Sequence, residues 1–228
     1  MMVSQRALVW LALAAAFSAL PARAESGAPA PVVPNYSTYA DEVLRYDPAY
    51  GGGCLPSEPN FIDPQSALGP PNYTGGAYGH GAVALGSGGL LELHFSGWRI
   101  ANSGDTRSDL KITEIGGYNE RCYVALRPVA PTTPQDLIDL GLVDANQDGY
   151  FEIGKTVSSG EFDIDALLNR TVPLLTVQFD AVQIVDDIAD TPTCTTSPGA
   201  DIDSVGSVQG WVAVHQATWG RVKFLYRH

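Results

Sequence analysis

The chain of 228 residues carries 25 acidic and 13 basic side chains, which gives a formal net charge of −12 at pH 7. It contains no basic stripe that could replace phosphate counterions, so its composition argues against nucleic-acid binding. An acidic surface is better suited to cation binding and to a soluble protein.

The first residues predict export. Arg6 precedes an apolar stretch at residues 7–20, and Ala22-Arg23-Ala24 matches a signal-peptide cleavage site. The apolar stretch is too short to span a bilayer. We therefore expect a signal peptide at residues 1–24 and, after it, a Pro- and Ala-rich linker at 25–35. A calcium-stabilised β-sandwich domain is expected at 36–210 and an aromatic, basic strand or tail at 211–228. The mature chain is then expected in the periplasm, outside the cell or at the cell surface.

Short alternating runs broken by turns predict an all-β domain. In residues 90–95, Leu91, Leu93 and Phe95 share one face, while Glu92 and His94 share the other. With residues 83–85 and the Gly-rich turn at 86–89, this run predicts a hairpin. Further strands are predicted at 109–115, 121–126, 150–154, 161–164, 176–185 and 221–227. A two-sheet sandwich is the architecture that such pieces most easily build.

Two details of the pattern make sharper predictions. Strict alternation in residues 176–185 places Phe179, Ala181 and Gln183 on one face of a strand. Residues 133–142 predict the one short helix, because Thr133 suits the N-cap and Pro134 the first helical position.

Residues 144–152 have the spacing of a calcium-binding loop. Oxygen-bearing residues alternate along the segment, and Gly149 stands where a sharp turn is needed. The predicted ligands are Asp144, Asn146, Asp148, the backbone carbonyl of Tyr150, and Glu152. Lys155 stands where an EF-hand has a bidentate Glu, so we expect a loop between strands. The alternative interpretation is a plain turn in which Asp and Asn cap their own backbone.

Three cysteines follow the predicted signal peptide. Cys54 and Cys194 lie in Gly- and Pro-rich loops, whereas Cys122 alternates with apolar residues. In an oxidising compartment this pattern favours a Cys54–Cys194 disulfide and a buried thiol at Cys122. A nucleophilic role for Cys122 would need an adjacent base, and no local motif provides one.

Several segments occur in an order that resembles a known family. The segments include residues 40–43, 63–71, 83–95, 109–114, 148–154, 179–187 and 199–205. Together they resemble a module of bacterial secreted and cell-surface proteins, and the resemblance covers about residues 38–206. It implies an all-β, two-sheet antiparallel sandwich with a galactose-binding-like, discoidin-like jelly-roll layout. The chain departs from the family in a short helical insertion at 128–146 and in its C-terminal tail.

The same layout suggests a second acidic site. Asp201 and Asp203 are two residues apart on an extended chain, so their carboxylates share one side. Glu114 shares a strand face with apolar residues and must be paired or bound to metal there. With Asp41 these residues form a possible second calcium site. The alternative is turn capping and pairing with arginines.

The candidate ligand surface consists of two loops at 72–81 and 98–109. Aromatic faces and polar groups alternate there, as a shallow sugar or peptide site requires. The candidate contacts are Tyr73, Tyr78, Trp98, Asn102 and Arg107. No nucleophile, base and orienting group can be assembled from local motifs. We therefore expect a non-catalytic surface or matrix module that binds a surface polysaccharide or an extracellular protein. The alternative is a small secreted hydrolase that acts on polysaccharide.

Overall fold

A computed structural model describes residues 38–75, 79–115, 120–157, 159–190, 194–208 and 211–213. In these residues twelve strands form two antiparallel sheets, so the chain is an all-β sandwich. The smaller sheet contains β1 (Thr38–Tyr39), β3 (Val83–Ala84), β6 (Leu110–Glu114), β9 (Gly160–Phe162) and β11 (Asp201–Ser207). The larger contains β2 (Glu42–Asp47), β4 (Leu90–His94), β5 (Trp98–Ala101), β7 (Arg121–Pro128), β8 (Phe151–Val157), β10 (Gln178–Asp186) and β12 (Trp211–Ala213). The predicted signal peptide, linker and residues 221–227 lie outside the described residues.

Each sheet is organised around one long central strand. In the smaller sheet β11 pairs with β6 on one side and with β1 and β3 on the other, and β9 lies beyond β6. In the larger sheet β10 pairs with β7 on one side and with β4 and β5 on the other. The outer strands of the larger sheet are β8, β2 and β12.

The core lies between the two sheets and confirms the alternation predicted for β4. Leu91, Leu93 and Phe95 are buried, while Glu92 and His94 are partly exposed. The largest fully buried side chains also include Phe151 and Phe179. Burial of such side chains stabilises the fold by about 1.5–3 kcal/mol each, before conformational entropy is subtracted.

The hairpin predicted at residues 83–95 is wrong. The strand β3 pairs with β11 in the smaller sheet, whereas β4 pairs with β10 and β2 in the larger one. The turn at 86–89 therefore carries the chain from one sheet to the other. Gly89 is required there, because a Cβ atom on it would lie 1.7 Å from the carbonyl oxygen of Leu85.

The face assignment of β10 is also wrong. A register shift between Phe179 and Ala181 displaces the alternation by one residue. Phe179 packs in the main core with Val182, while Ala181 faces the other side of the sheet with Tyr150. A bulge of this kind inserts one extra residue and inverts the faces of everything that follows it.

The predicted helix is confirmed over a shorter range. Helix α1 covers Pro134–Asp139, with Thr133 as its N-cap. The Thr133 hydroxyl accepts a hydrogen bond from the N–H of Asp136, and the Asp136 carboxylate accepts one from the N–H of Thr133, which completes a capping box. Among the described residues no helix has the length and apolar character needed to cross a membrane.

Cys54 and Cys194 form a disulfide, and Cys122 is a free, buried cysteine. The Cα atoms of the bridge are 5.4 Å apart, within the usual range. Burial raises the pKa of the Cys122 thiol, so this residue behaves as a small apolar side chain. A disulfide is typical of proteins that fold outside the reducing cytosol.

We predict that replacing both Cys54 and Cys194 by Ser lowers the free energy of unfolding substantially. The bond closes a loop with a sequence separation of 140 residues, and the chain-entropy model gives about 5 kcal/mol for a loop of that size. Urea unfolding of the double variant and of a Cys122→Ala control measures the difference. Alkylation of native protein at Cys54 or Cys194 would contradict the pairing, because only Cys122 should react and only after unfolding.

Candidate metal centre

The loop at 144–152 closes on itself through its own side chains. The two carboxylate oxygens of Asp144 accept hydrogen bonds from the backbone N–H groups of Asp148 (3.1 Å) and Gly149 (3.0 Å). Asp148 Oδ1 accepts one from the N–H of Tyr150 (2.9 Å), and Glu152 accepts one from Ala145. A bridge between Val143 and Glu152 places the loop between β elements, as expected.

The remaining oxygen of Asp148 is already used. The side-chain amides of Asn146 (3.0 Å) and Gln183 (2.9 Å) both donate to Asp148 Oδ2. In this arrangement the carboxylates are satisfied by N–H donors, which is the pattern of a plain Asx-rich turn. The calcium assignment of this loop therefore stays a prediction.

The four acids of the predicted second site have different partners. Asp41 accepts hydrogen bonds from the backbone and hydroxyl of Ser96, and Asp203 accepts one from the N–H of Asn72 (2.9 Å). Glu114 and Asp201 do come together, because Glu114 is paired with Ile202 in the register of β6 and β11.

The partly buried Glu120 joins the buried Glu114 and Asp201 in a group that we call the β11 acid cluster. Burial, and then the neighbouring Glu114, raise the pKa of Asp201 to about 7. Burial, and then Asp201 and Glu114, raise the pKa of Glu120 to about 8. Near neutral pH the carboxyl group of Glu120 is therefore mostly protonated, and that of Asp201 is about half protonated.

A different group of carboxylates does converge. Asp109, Asp163 and Asp165 each offer one oxygen, and these oxygens lie within 4.8 Å of one another. Oxygens that bind one calcium ion at 2.3–2.6 Å can be at most about 5 Å apart. This group, the Asp109 triad, could hold a metal ion.

The side chain of Asp109 is fully buried, and only one of its two carboxylate oxygens accepts a hydrogen bond. Its Oδ2 atom accepts a hydrogen bond from the N–H of Ile164 (3.0 Å), whereas its Oδ1 atom has no hydrogen-bond partner. The pKa of Asp109 is raised to about 6, mainly by burial and to a smaller extent by the neighbouring Asp165 and Asp163. Ser103 and the Ile164 amide act in the opposite direction. A buried carboxylate oxygen without a donor is costly, and a cation would remove that cost.

The other two carboxylates are also held by hydrogen bonds. Asp165 accepts from the side-chain amide of Asn102 (2.9 Å) and from the backbone of Gly104 (2.7 Å). Asp163 accepts from the N–H of Ala166 (3.2 Å), at the start of a short 3-10 helix (Asp165–Leu167). The triad thus joins the segment before β6 to the segment after β9.

Asn102, which the sequence predicted as a ligand contact, instead helps to hold the triad in place. It is fully buried, and its amide also donates to the carbonyl of Pro173 (3.0 Å) while its oxygen accepts from the N–H of Val177 (3.0 Å). Its role is to fix the position of Asp165.

An open groove of about 450 Å³ lies beside the triad. Asp163 and Asp165 line it, together with Gly104, Asp105, Asn169 and Arg170. Part of the predicted ligand loop at 98–109 therefore reaches this groove. Asp105 and Arg107 form a bidentate ion pair, and hydrogen bonds from Arg107 lower the pKa of Asp105 to about 2.

The remaining predicted ligand residues lie elsewhere. The half-buried ring of Tyr73 packs against Phe61, with ring centroids 6.2 Å apart. Trp98 begins strand β5 and is half-buried. Tyr78 lies outside the described residues.

One local pattern in the sequence does indicate two of the three carboxylates of the triad. Asp163-Ile164-Asp165 repeats the Asp-Ile-Asp pattern of residues 201–203, with Ile164 buried between two acids that reach the surface. The third carboxylate is more than fifty positions away, so spacing along the chain could not indicate it.

No protein-family model, no curated protein and no solved structure matches this chain.

We predict that stability in the presence of chelator falls as the pH rises from 6 to 8. The pKa of Asp201 is raised in the folded state, so the folded protein binds more protons than the unfolded chain in this interval. The stability that Asp201 contributes is complete at low pH and is lost as the pH passes about 7. A carboxyl group that titrates between pH 6 and pH 8 lowers the free energy of unfolding by about 1 kcal/mol over that interval. This corresponds to a fall of about 2–4 °C in Tm.

The test compares Tm at pH 6 and pH 8 for the wild type, Asp201→Asn and a control, Asp139→Asn on helix α1. The Asp201 variant should show a smaller difference between the two pH values, and the control should match the wild type. Equal differences in all three proteins would show that Asp201 does not titrate in this range.

Proposed function

We propose that this chain is an exported β-sandwich module that binds calcium and attaches to a glycan or protein partner without catalysing a reaction. The observation that carries the calcium proposal is the buried Oδ1 atom of Asp109, which has no hydrogen-bond partner and belongs to a group of three carboxylates. Three carboxylates this close repel one another, and a divalent cation would stabilise all three.

The chemistry of the donors favours calcium over other divalent ions. All three ligands of the triad are carboxylates, whereas zinc favours His and Cys ligands. Magnesium demands near-ideal octahedral geometry and keeps several of its waters, while calcium accepts six to eight oxygens in flexible geometry. The carboxylates come from two separate segments, so an ion there would also clamp β6 to the 3-10 helix that follows β9.

The binding proposal is supported by the position of the groove. Binding residues are often found on loops that a rigid scaffold positions, and this groove is formed by the loop after β5 and the segment after β9. Arg107 borders it through the ion pair with Asp105. The disulfide and the predicted signal peptide support an extracellular or periplasmic location.

We predict that calcium raises the Tm of the mature chain and that EGTA reverses the rise. Calcium at a hundred times its dissociation constant adds about 2.7 kcal/mol to the unfolding free energy, or about 5–10 °C for a chain of this size. Asp163→Asn should remove the rise, because it takes away one of the three carboxylate ligands. The variant should still fold, because Asp163 is partly exposed and accepts a single hydrogen bond from the described residues. Differential scanning calorimetry measures each shift.

Two variants separate this site from the loop at 144–152. Asp144→Asn combined with Asp148→Asn should keep most of the calcium response, and Asp139→Asn should keep all of it. A response that survives Asp163→Asn but is lost in the double variant would place the ion in the loop. No response in the wild type would contradict the calcium proposal.

The absence of turnover is a separate expectation. Incubation with polysaccharides, with calcium or with EGTA, should leave the number of reducing ends unchanged. A steady, enzyme-dependent increase would instead establish the alternative, a secreted hydrolase.

A further inference from the structure

The Asp109 triad has a closed side and an open side. Asp109 is fully buried behind the other two acids, whereas Asp163 and Asp165 are partly exposed and line the groove. An ion held by the three would therefore have protein on one side and the groove on the other. If each carboxylate supplies one oxygen, at least three of the six to eight coordination positions of calcium remain for oxygens from the groove.

The groove wall offers hydrogen-bonding groups that suit hydroxyls. Thr106 and Thr171 are exposed and line it, as does Asn169, whose amide nitrogen donates to the carbonyl of Asp139 and whose oxygen faces no described donor. Arg170 is also exposed at the groove, and no ion pair to another described residue occupies its guanidinium. Hydroxyl, amide and guanidinium groups together can donate to and accept from a polyhydroxylated ligand.

Charge argues for an uncharged ligand. Three carboxylates face the groove, those of Asp105, Asp163 and Asp165, and the whole chain has a formal net charge of −12. Arg107 neutralises Asp105 through their bidentate pair, and a calcium ion would offset two of the three negative charges of the ionised triad. An anionic ligand would gain little at this site and would be repelled by the rest of the surface.

We propose that the groove binds a neutral glycan, whose neighbouring hydroxyls complete the coordination of a calcium ion held by Asp109, Asp163 and Asp165. This inference rests on the proposed calcium site and adds the class of ligand and the place where it binds. Arg170, Asn169 and Thr171 hold the sugar beside the ion, so they affect glycan binding without affecting the ion itself.

Affinity electrophoresis of the mature chain tests the proposal. The gels contain a neutral polysaccharide (mannan, galactan or dextran) or the acidic polysaccharide alginate, with excess calcium or excess EGTA. At least one neutral polysaccharide should slow the protein in calcium, and EGTA should abolish the effect. Arg170→Gln should weaken that binding about five-fold or more, the loss expected for one or two hydrogen bonds.

A matched control and a second readout keep the two proposals apart. Arg121→Gln, at an exposed arginine on β7 that pairs with Asp190, should bind like the wild type, and Arg170→Gln should keep the calcium-induced rise in Tm. If calcium raises the Tm but no neutral polysaccharide slows the protein, the glycan inference fails and the calcium site stands. Binding that ignores EGTA, occurs only with alginate or survives Arg170→Gln unchanged also overturns the inference. No rise in Tm with calcium overturns both.

Discussion

The carboxylate of Asp186 joins the two sheets where the chain crosses between them. It lies at the end of β10 in the larger sheet and is buried, and it accepts hydrogen bonds from the N–H groups of Gly88 and Ala200. Gly88 belongs to the crossing turn, and Ala200 directly precedes β11 of the smaller sheet. One charged group thus fixes three segments, at a position where burial would be costly without those donors.

A buried carboxyl group must be hydrogen-bonded or have its charge neutralised, and the other buried acids meet this requirement in different ways. Asp186 is matched by two N–H donors, whereas Asp109 accepts a hydrogen bond from one N–H group, at its Oδ2 atom alone. Burial raises the pKa of Asp201 and Glu120, so a proton meets the requirement in the β11 acid cluster. The structure therefore contains buried carboxyl groups satisfied by N–H donors and others satisfied by protons. In our proposal, the oxygen of Asp109 that has neither an N–H donor nor a proton is satisfied by a cation.

Much of the fold could be predicted because local patterns specify it. The alternation of Leu91, Leu93 and Phe95, and the cap formed by Thr133, are decided by residues close together in sequence. The pairing of strands is not local. A Gly-rich turn such as that at 86–89 suits a hairpin and a crossing between sheets equally well, and the bulge in β10 leaves no mark on the sequence. The triad was missed for the same reason, since Asp109 reaches Asp163 only through the pairing of β6 with β9.

The disulfide has a mechanical consequence for the chain. Strands β3 to β10 and all three residues of the Asp109 triad lie within the covalent loop that Cys54 and Cys194 close. Tension applied to the two ends of the chain would pass through the sulfur bridge and would not stretch the enclosed segment. Only the strands outside the loop, such as β1 and β11, could be peeled away. A reductant, and not force alone, would then be needed to extend the chain through the segment that carries the Asp109 triad.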